Sequence, residues 1–453
     1  MRVKISDILK ATGGKLLCGD EAVAVTSFFT DSRQAKAGAM FVPIRGERAD
    51  GHDYIPAVLE SPAAATFTDH EIPLGEKPIV LVKDCREALQ KAAAWYREQF
   101  AIPVVGVTGS VGKTTAKEMV AQALTAKFRV LKTAGNQNSQ VGVPITVCGL
   151  KKDHTAAVVE MGVSMPGEMA RIAAVVKPTC AVMTNIGVSH IEFMKTRENI
   201  LKEKAHIADY IPVDGALFVN GDDDLLPTLK ETLGGKVVTF GLGPTCDWRA
   251  YGLNEADKGT FFTCLSPTGE KTEVFVPAAG EHNVRNALAA MAVARYLGVP
   301  AEDAVRAISA YKAPAMRQQV VEAGGLLIID DSYNASPDSM RSAIDVLATR
   351  PVTGKRAAVL ADMLELGDFS QQGHYEVGSY ARERGVELLV AVGPLAKGIA
   401  AGYGSEAHWF ATNEEATAFL QEALHPGDAV LVKGSRGMRT AEIVAALTAG
   451  QEA

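Results

Sequence analysis

The sequence predicts an α/β protein made of three successive units, spanning residues 1–100, 101–313 and 314–453. Three observations carry this. A chain of 453 residues has material for about three domains. Apolar strand-like runs, Gly-containing turns and helical patterns alternate along two long stretches. The pattern also breaks twice, near Phe100 and across Lys312–Gly325.

Taken in order, the first unit opens with Val3, Ile5, Ile8 and Leu9 among charged residues, a short amphipathic element. Short strands and helices follow, giving a small mixed α/β unit that closes with a helical stretch over Glu87–Phe100. The second unit begins with an apolar strand at Ile102–Val107 and continues with strands at Thr155–Met161, Thr179–Asn185, Ala216–Asn220 and Val237–Gly241. Helical patterns at Lys113–Lys127, Gly167–Val176 and Arg197–Tyr210 lie between them, so the sheet is expected to be mostly parallel. The period then changes: Trp248–Tyr251, Thr260–Cys264 and Glu273–Val276 read as a small antiparallel addition, followed by helices near His282–Leu297 and Ala301–Ala310. In the third unit strands are expected at Leu326–Asp331, Ala357–Ala361, Leu388–Val392 and Ala429–Lys433.

Composition narrows the function classes. Apolar residues make up 47% and charged residues 22%, an ordinary globular mix. A net charge of -7 argues against nucleic acid or an anionic membrane as partner. No segment has the roughly 18 apolar residues needed to span a bilayer, and no signal-peptide core follows the N-terminus. Cys18, Cys85, Cys148, Cys180, Cys246 and Cys264 are scattered without a C-x-x-C pair. They read as buried thiols of a reducing compartment, and a cytoplasmic, monomeric protein is expected.

The strongest local signal is Gly106-Val-Thr-Gly-Ser-Val-Gly-Lys-Thr-Thr115, lying after an apolar strand and before a helix. Small residues let backbone N–H groups close on phosphate oxygens, and the helix N-terminus adds positive potential. Thr108, Gly109, Ser110, Val111, Gly112, Lys113, Thr114 and Thr115 form this nucleotide-binding segment. Lys113 can reach the β and γ phosphates and the Thr114 hydroxyl can ligate Mg²⁺. The usual first glycine of such a loop is Val107 here.

Glu160 ends the run Ala156–Val159 at the carboxyl end of a strand, where ligands of doubly wound sheets collect. It can hold Mg²⁺ directly or through water, or it can be a turn carboxylate. His190 follows another strand and is either a ligand or structural. Lys204 shares the face of Ile200, Ile207, Ala208 and Ile211. A buried ammonium without a partner is costly. The stem either snorkels or the amine is chemically modified.

The Thr108–Thr115 loop resembles that of the Mur ligase superfamily, ATP-dependent amide-forming enzymes that include folylpolyglutamate synthetases. Thr30-Asp-Ser-Arg33, Met40-Phe-Val-Pro-Ile-Arg-Gly46 and Asp50-Gly-His-Asp53 resemble its uridine-nucleotide-binding domain. Thr133-Ala-Gly-Asn-Gln-Asn138, Asp331-Ser-Tyr-Asn-Ala-Ser-Pro-Asp-Ser-Met340, Asp362-Met-Leu-Glu-Leu-Gly367 and Val432-Lys-Gly-Ser-Arg-Gly-Met438 resemble one branch of the family, so the likeness spans all three units.

The resemblance implies a UDP-substrate domain, a central P-loop ATPase-type domain and a Rossmann-like C-terminal domain that closes on ATP and binds the incoming dipeptide. It implies ATP-dependent joining of D-alanyl-D-alanine to UDP-N-acetylmuramoyl-tripeptide through an acyl phosphate, with two Mg²⁺ ions. It places catalysis on Lys113, Glu160, His190, Lys204 and Arg317, with metal at Thr114, Glu160, His190 and a carbamylated Lys204. The residue corresponding to the family's acidic position near that lysine is His206. Asn283 and Asn286 would read adenine, though capping explains one Asn equally well. Arg317 would approach the γ-phosphate and Asp331 the ribose. Substrates would meet Asp31, Ser32, Arg33, Arg45, Gly46, Asn136, Asn138, Tyr333 and Asn334, with Lys433, Ser435 and Arg436 as a clamp for the dipeptide carboxylate. The rivals are another ligase of the superfamily and a non-catalytic nucleotide switch; the latter needs neither Lys204 nor an acceptor clamp.

Overall fold

The computed structural model describes residues 1–46, 49–73, 75–256 and 258–449. Its strands form three large sheets and one two-stranded ribbon, the mixed α/β architecture that the sequence predicts. The first sheet runs Lys15–Cys18, Ile79–Leu81, Ala65–Thr68, Ala39–Phe41, Ser27–Phe29, parallel except at the Lys15–Cys18 edge. The N-terminal amphipathic stretch is a helix, Ile5–Thr12, burying Ile5 and Ile8.

The second sheet has nine strands. From one edge these are Lys271–Val276, Gly259–Leu265, Trp248–Ala256, Val237–Gly241, Leu217–Asn220, Cys180–Met183, Val104–Thr108, Ala156–Glu160 and Val130–Lys132. The small antiparallel addition does not stand apart. Trp248–Ala256 pairs parallel with Val237–Gly241, so the meander prolongs the main sheet. Val104–Thr108 lies between two parallel neighbours, Ala156–Glu160 and Cys180–Met183, reached by crossovers to opposite sides. Such a reversal of strand order opens a crevice at the strands' carboxyl ends.

Alternation along these strands sorts their side chains onto two cores. Val104, Ala157, Val159, Ala181, Met183, Leu217 and Val219 face one. Val105, Val107, Val158, Val182 and Phe218 face the other, under the helices Lys113–Leu124, Glu281–Tyr296 and Ala301–Ser309. The first of these cores is continuous with that of the N-terminal unit through the helix Cys85–Arg97, which packs on Gly142–Cys148 and Glu168–Val176. Arg97, only 6% exposed, donates from Nε to Val176 O at 2.9 Å. It thereby satisfies a carbonyl that a helix C-terminus leaves without a partner.

The third sheet runs Gln319–Ala323, Leu326–Asp331, Ala429–Lys433, Arg356–Ala361, Leu388–Val392, His408–Phe410. Gln319–Ala323 falls inside the stretch expected to be only a boundary. It is an edge strand with no buried residue, so it lacks the apolar alternation that marks a strand. Its hairpin to Leu326–Asp331 turns on Gly324 and Gly325, both at positive φ (55° and 79°), as a two-residue primed turn demands. The helix expected over Arg197–Tyr210 ends at Ala205 and continues as one 3₁₀ turn, His206–Ala208.

Candidate functional site

A cavity of about 1330 Å³ lies at the carboxyl ends of the central strands, walled by the second and third units. On one side stand Ser110–Thr115, Asn136, Asn138, Glu160, His190, Asn283 and Asn286; on the other Arg317, Asp331, Tyr333, Asn334 and Lys433.

The phosphate loop is held from outside itself. Val111 N donates to Asn185 Oδ1 at 2.7 Å, Ser110 N to Asn185 O at 3.0 Å, and Thr184 Oγ1 to Val111 O at 2.5 Å. Thr108 is buried beneath the loop and donates to Met161 O at 2.7 Å. Gly109 sits at φ 147°, and a Cβ there would lie 1.9 Å from Thr184 Oγ1. Only glycine fits both the conformation and the space. Gly112, at φ 81°, opens the helix Lys113–Leu124. Lys113 Nζ folds back to donate to Gly109 O and Ser110 O at 2.9 and 3.0 Å. Thr115 faces Tyr311 across the cavity floor.

Glu160 is 1% exposed. Its Oε1 accepts from Thr114 Oγ1 at 3.1 Å and from Asn138 Nδ2 at 2.7 Å, whereas its Oε2 has no hydrogen-bond partner among the described residues. Lys117, fully buried behind it, donates to Thr133 O at 2.9 Å and lies 3.9 Å from that Oε2. A buried carboxylate oxygen left open beside a threonine hydroxyl and a phosphate loop fits a hard, oxygen-seeking cation such as Mg²⁺. Asn138, expected at the substrate, is therefore engaged with the Glu160 carboxylate; Asn136 lines the cavity.

His190 begins the short helix Ile191–Met194 at φ 61°. Its Nδ1 lies 2.6 Å from Oε2 of Glu365, in the third unit, and this contact holds Glu365 below the usual carboxylate range. Lys204 is 2% exposed and makes no hydrogen bond or ion pair among the described residues. Its neighbour Glu203 accepts 2.7 Å bonds from the N–H groups of Gly167 and Met169, capping the helix Glu168–Val176. Burial, reinforced by the nearby Lys113 charge, holds the Lys204 amine well below the ordinary lysine range.

The third unit supplies a polar face. Arg317 stacks on the Tyr333 ring at 4.1 Å, and Arg436 lies over the same ring at 5.6 Å. Met316 and Gln318, flanking Arg317, both have positive φ (60° and 52°). Lys433 is buried, donating to Asp331 Oδ2 at 2.6 Å and Asn334 O at 2.9 Å. Its charge is thus taken up by the residue expected to meet the ribose, and Ser435 Oγ accepts from Leu364 N at 2.9 Å. Arg436 alone of that expected trio is exposed. Asn283 Nδ2 donates to Ala279 O at 2.7 Å, and Asn286 lies against Gly112.

In the first unit, Asp31 Oδ1 accepts from Arg33 N at 3.1 Å and its Oδ2 from Arg33 Nη2 at 2.8 Å, with Ser32 between them. Arg45 pairs with Asp50 and Asp69, and Gly46 N donates to Ala49 O at 3.0 Å. None of these five lines the cavity.

Residues outside the sequence expectations also shape the site. Asp338 Oδ2 accepts from Val188 N at 3.4 Å and joins the third unit to the second. His282 Nε2 lies 3.0 Å from Gln318 Oε1. Lys117 stands one helical turn after Lys113, on the side of the same helix that meets Glu160. Its spacing was visible; its burial was not.

Family models match three stretches of the chain. "Mur ligase family, catalytic domain" covers residues 25–97, "Mur ligase middle domain" 107–294, and "Mur ligase, glutamate ligase domain" 316–436. The UDP-N-acetylmuramoyl-tripeptide--D-alanyl-D-alanine ligase of Bacillus subtilis (strain 168) is 35% identical over 94% of this chain and 93% of its own length. That of Escherichia coli (strain K12) is 33% identical over 98% of each. Among solved structures, MurF from Acinetobacter baumannii superposes with a TM-score of 0.92 at 32% identity, covering 99% of both chains. MurF from Thermotoga maritima in complex with ADP gives 0.84 at 29% identity over 94% and 98%.

One prediction follows from the loop. Burial brings the Lys113 ammonium down to about 8, while a polyphosphate beside it favours the charged form. Nucleotide binding therefore takes up protons when measured above that pH. The uptake fades as pH falls well below it, where the free lysine is already charged. Calorimetry in buffers of different ionisation heat checks this; proton release on binding contradicts it.

Proposed function

The chain belongs to the Mur ligase family, and from that premise we infer that it adds D-alanyl-D-alanine to UDP-N-acetylmuramoyl-tripeptide, with ATP converted to ADP. The product is the UDP-muramoyl-pentapeptide precursor of peptidoglycan. One observation carries the reading: full-length relatives of this activity align with a chain whose second and third units wall a single cavity. The division of labour we propose is a UDP-substrate domain (1–100), an ATP domain (101–313) and a dipeptide-binding domain (314–453), whose last four residues lie outside the described ones. The protein is proposed to act in the cytoplasm as a monomer, and no described helix is long and apolar enough to cross a membrane.

A carboxylate is a poor electrophile. In this reaction the tripeptide carboxylate attacks the γ-phosphorus of ATP, giving an acyl phosphate and ADP. The dipeptide amine then attacks the acyl carbon, and the tetrahedral intermediate expels phosphate. The chain's part is positioning and charge neutralisation. The loop N–H groups and Lys113 hold the phosphates, Asn283 and Asn286 face the base, and Asp331 meets the ribose. Arg317, oriented by stacking on Tyr333, approaches the transferring phosphoryl group. Thr114, Glu160, His190 and a carbamate of Lys204 would hold two Mg²⁺ ions, which would neutralise charge on the phosphate oxygens. Asp31, Ser32, Arg33, Arg45 and Gly46 serve the uridine nucleotide; Asn136, Tyr333 and Asn334 line the path of the peptide.

The test is phosphate release from ATP that requires both UDP-muramoyl-tripeptide and D-alanyl-D-alanine. A nucleotide switch would hydrolyse ATP without them or not at all, and another ligase of the family would demand a different acceptor.

Arg436 is the acceptor clamp. It is exposed at the turn after the Ala429–Lys433 strand, and Lys433 is already paired. Arg436→Ala should raise the KM for D-alanyl-D-alanine about tenfold or more, the loss expected from roughly 1.5–3 kcal/mol of charge-assisted bonding. The KM for ATP should hardly move; an equal rise in both would remove Arg436 from the acceptor site.

Lys204 acts as a carbamate. Burial and the Lys113 charge hold its amine well below the ordinary lysine range, which favours the nucleophilic free amine; this adds CO₂ and loses a proton to become an anion. Lys204→Ala should be nearly inactive and partly rescued by a small carboxylic acid; Lys204→Arg should not be rescued. Wild-type activity should fall when bicarbonate is stripped and return when it is restored. A Mg²⁺-bound crystal structure with a plain Lys204 turned from the metal would refute this.

A further inference from the structure

Selection of the nucleobase can be traced to one backbone carbonyl, given the reading above that Asn283 faces the base. Asn283 and Asn286, three residues apart, share a face of the helix Glu281–Tyr296. Asn286 lies against Gly112 of the phosphate loop, and Asn283 reaches Gln318 beyond the junction. That face therefore runs from the phosphate loop toward the third unit, and all four residues line the cavity.

Ala279 O lies 2.7 Å from the Asn283 amide. A backbone carbonyl only accepts, so the amide atom that faces it is Nδ2. The same Nδ2 lies 3.3 Å from Gln318, so the Gln318 atom there is an acceptor too, Oε1. His282 Nε2 is 3.0 Å from that oxygen and must then carry the ring proton. Desolvation holds His282 below the ordinary histidine range, in keeping with a neutral ring that has a single proton to place. Each orientation is forced by the one before it, starting from a main-chain atom that cannot turn over.

The consequence falls on Asn283. Its amide has two N–H bonds, and Ala279 O and Gln318 Oε1 take both. Its Oδ1 accepts no hydrogen bond from any described residue. Asn283 therefore meets a ligand as an acceptor only. An exocyclic amino group, as on C6 of adenine, can donate to it. A carbonyl at the same place, as in hypoxanthine, would set two oxygens face to face with no proton between them. Gln318 closes the alternative: without it the second Nδ2 hydrogen is free to meet a carbonyl. Gln318 holds its place at φ 52°, in the left-handed region that few non-glycine residues occupy. Such a conformation persists where the surroundings fix it.

We propose that Gln318, a residue of the third unit, sets the nucleobase specificity of the cavity. By occupying Asn283 it makes the site take a base with an amino group and turn away one with a carbonyl, and His282 keeps the Gln318 amide the right way round. Gln318 is a positioning residue, since it acts through Asn283.

The test is calorimetric binding of ADP and of inosine diphosphate to the full chain at one Mg²⁺ concentration. The two ligands differ at C6 of the base, amino in one and carbonyl in the other. Tripolyphosphate, which has no base, is the control. The wild-type chain is expected to bind ADP about tenfold or more tighter than inosine diphosphate, because a committed acceptor is left facing a carbonyl. Gln318→Leu should bring the ratio below about threefold, chiefly through tighter binding of inosine diphosphate, with tripolyphosphate affinity unchanged. Gln318→Glu keeps an acceptor toward His282 and Asn283 and should retain the wild-type ratio, in which any repulsion between its charge and the phosphates cancels. Asn283→Ala separates the proposal from the reading beneath it. If that variant keeps the wild-type ratio, Asn283 does not face the base, and the proposal falls with the reading. If Asn283→Ala loses the ratio while folded Gln318→Leu keeps it, Asn283 reads the base without Gln318 and the proposal alone is overturned. A wild-type ratio below about threefold overturns it without any variant.

Discussion

The cleft between the second and third units is organised around one buried carboxylate. Glu160 draws the phosphate-loop helix in through Thr114 and the loop after the edge strand in through Asn138, and its own N–H donates to Thr133 Oγ1 at 2.9 Å. Lys117 offsets its charge from behind while donating to the Thr133 carbonyl. Lys117 is also shared with Glu118, itself paired with Lys132, so the buried cation does not bind Glu160 outright. A carboxylate satisfied on one oxygen and open on the other is a costly arrangement in an apolar interior. It persists because three elements of the fold close on it at once, and it directs the site's demand for positive charge to a single place.

Against this fixed wall the third unit presents contacts of a different kind. It meets the second unit at the cleft through polar pairs, Asp338 with Val188 N and Glu365 with His190, and through a small apolar contact of Val188 and Ala279 against its own core. Polar contacts at a wet crevice contribute little net stability each and are readily exchanged for contacts to a ligand. Arg317 lies between two left-handed residues at the junction, and its stack on Tyr333 fixes the direction of the guanidinium.

What could be read from the sequence follows the range of each interaction. The phosphate loop was legible because its glycines, lysine and threonines are contiguous and sit between a strand and a helix. Glu160 was legible because a polar residue ending an apolar run marks a strand's carboxyl end. Lys204 was legible through the 3.6-residue period of its helix. The pairing of Lys433 with Asp331 was not, because it joins residues 102 positions apart and each alone looks like a ligand group. Nor was the Glu365 contact to His190, since nothing local tells a carboxylate which unit it will face. The Gln319–Ala323 strand escaped because an exposed edge carries no apolar alternation; the Gly324-Gly325 pair was the cue.

The Arg97 bond across the first two units bears on how the chain holds together. Its guanidinium reaches the C-terminal carbonyls of the Glu168–Val176 helix, Tyr96 OH donates to Leu150 O at 2.8 Å, and the apolar cluster around them runs unbroken from Val3 to Val237. Three sheets do not therefore make three cooperative units. The first hundred residues keep only a small cluster to themselves, around Phe29, Phe41, Ile55 and Val58, and removing them would strip the cover from Val147, Met169, Ile172 and Val176. The apolar clusters thus fall into two bodies, a larger one that takes in the first two units and a smaller one beyond the junction, built around two clusters of its own.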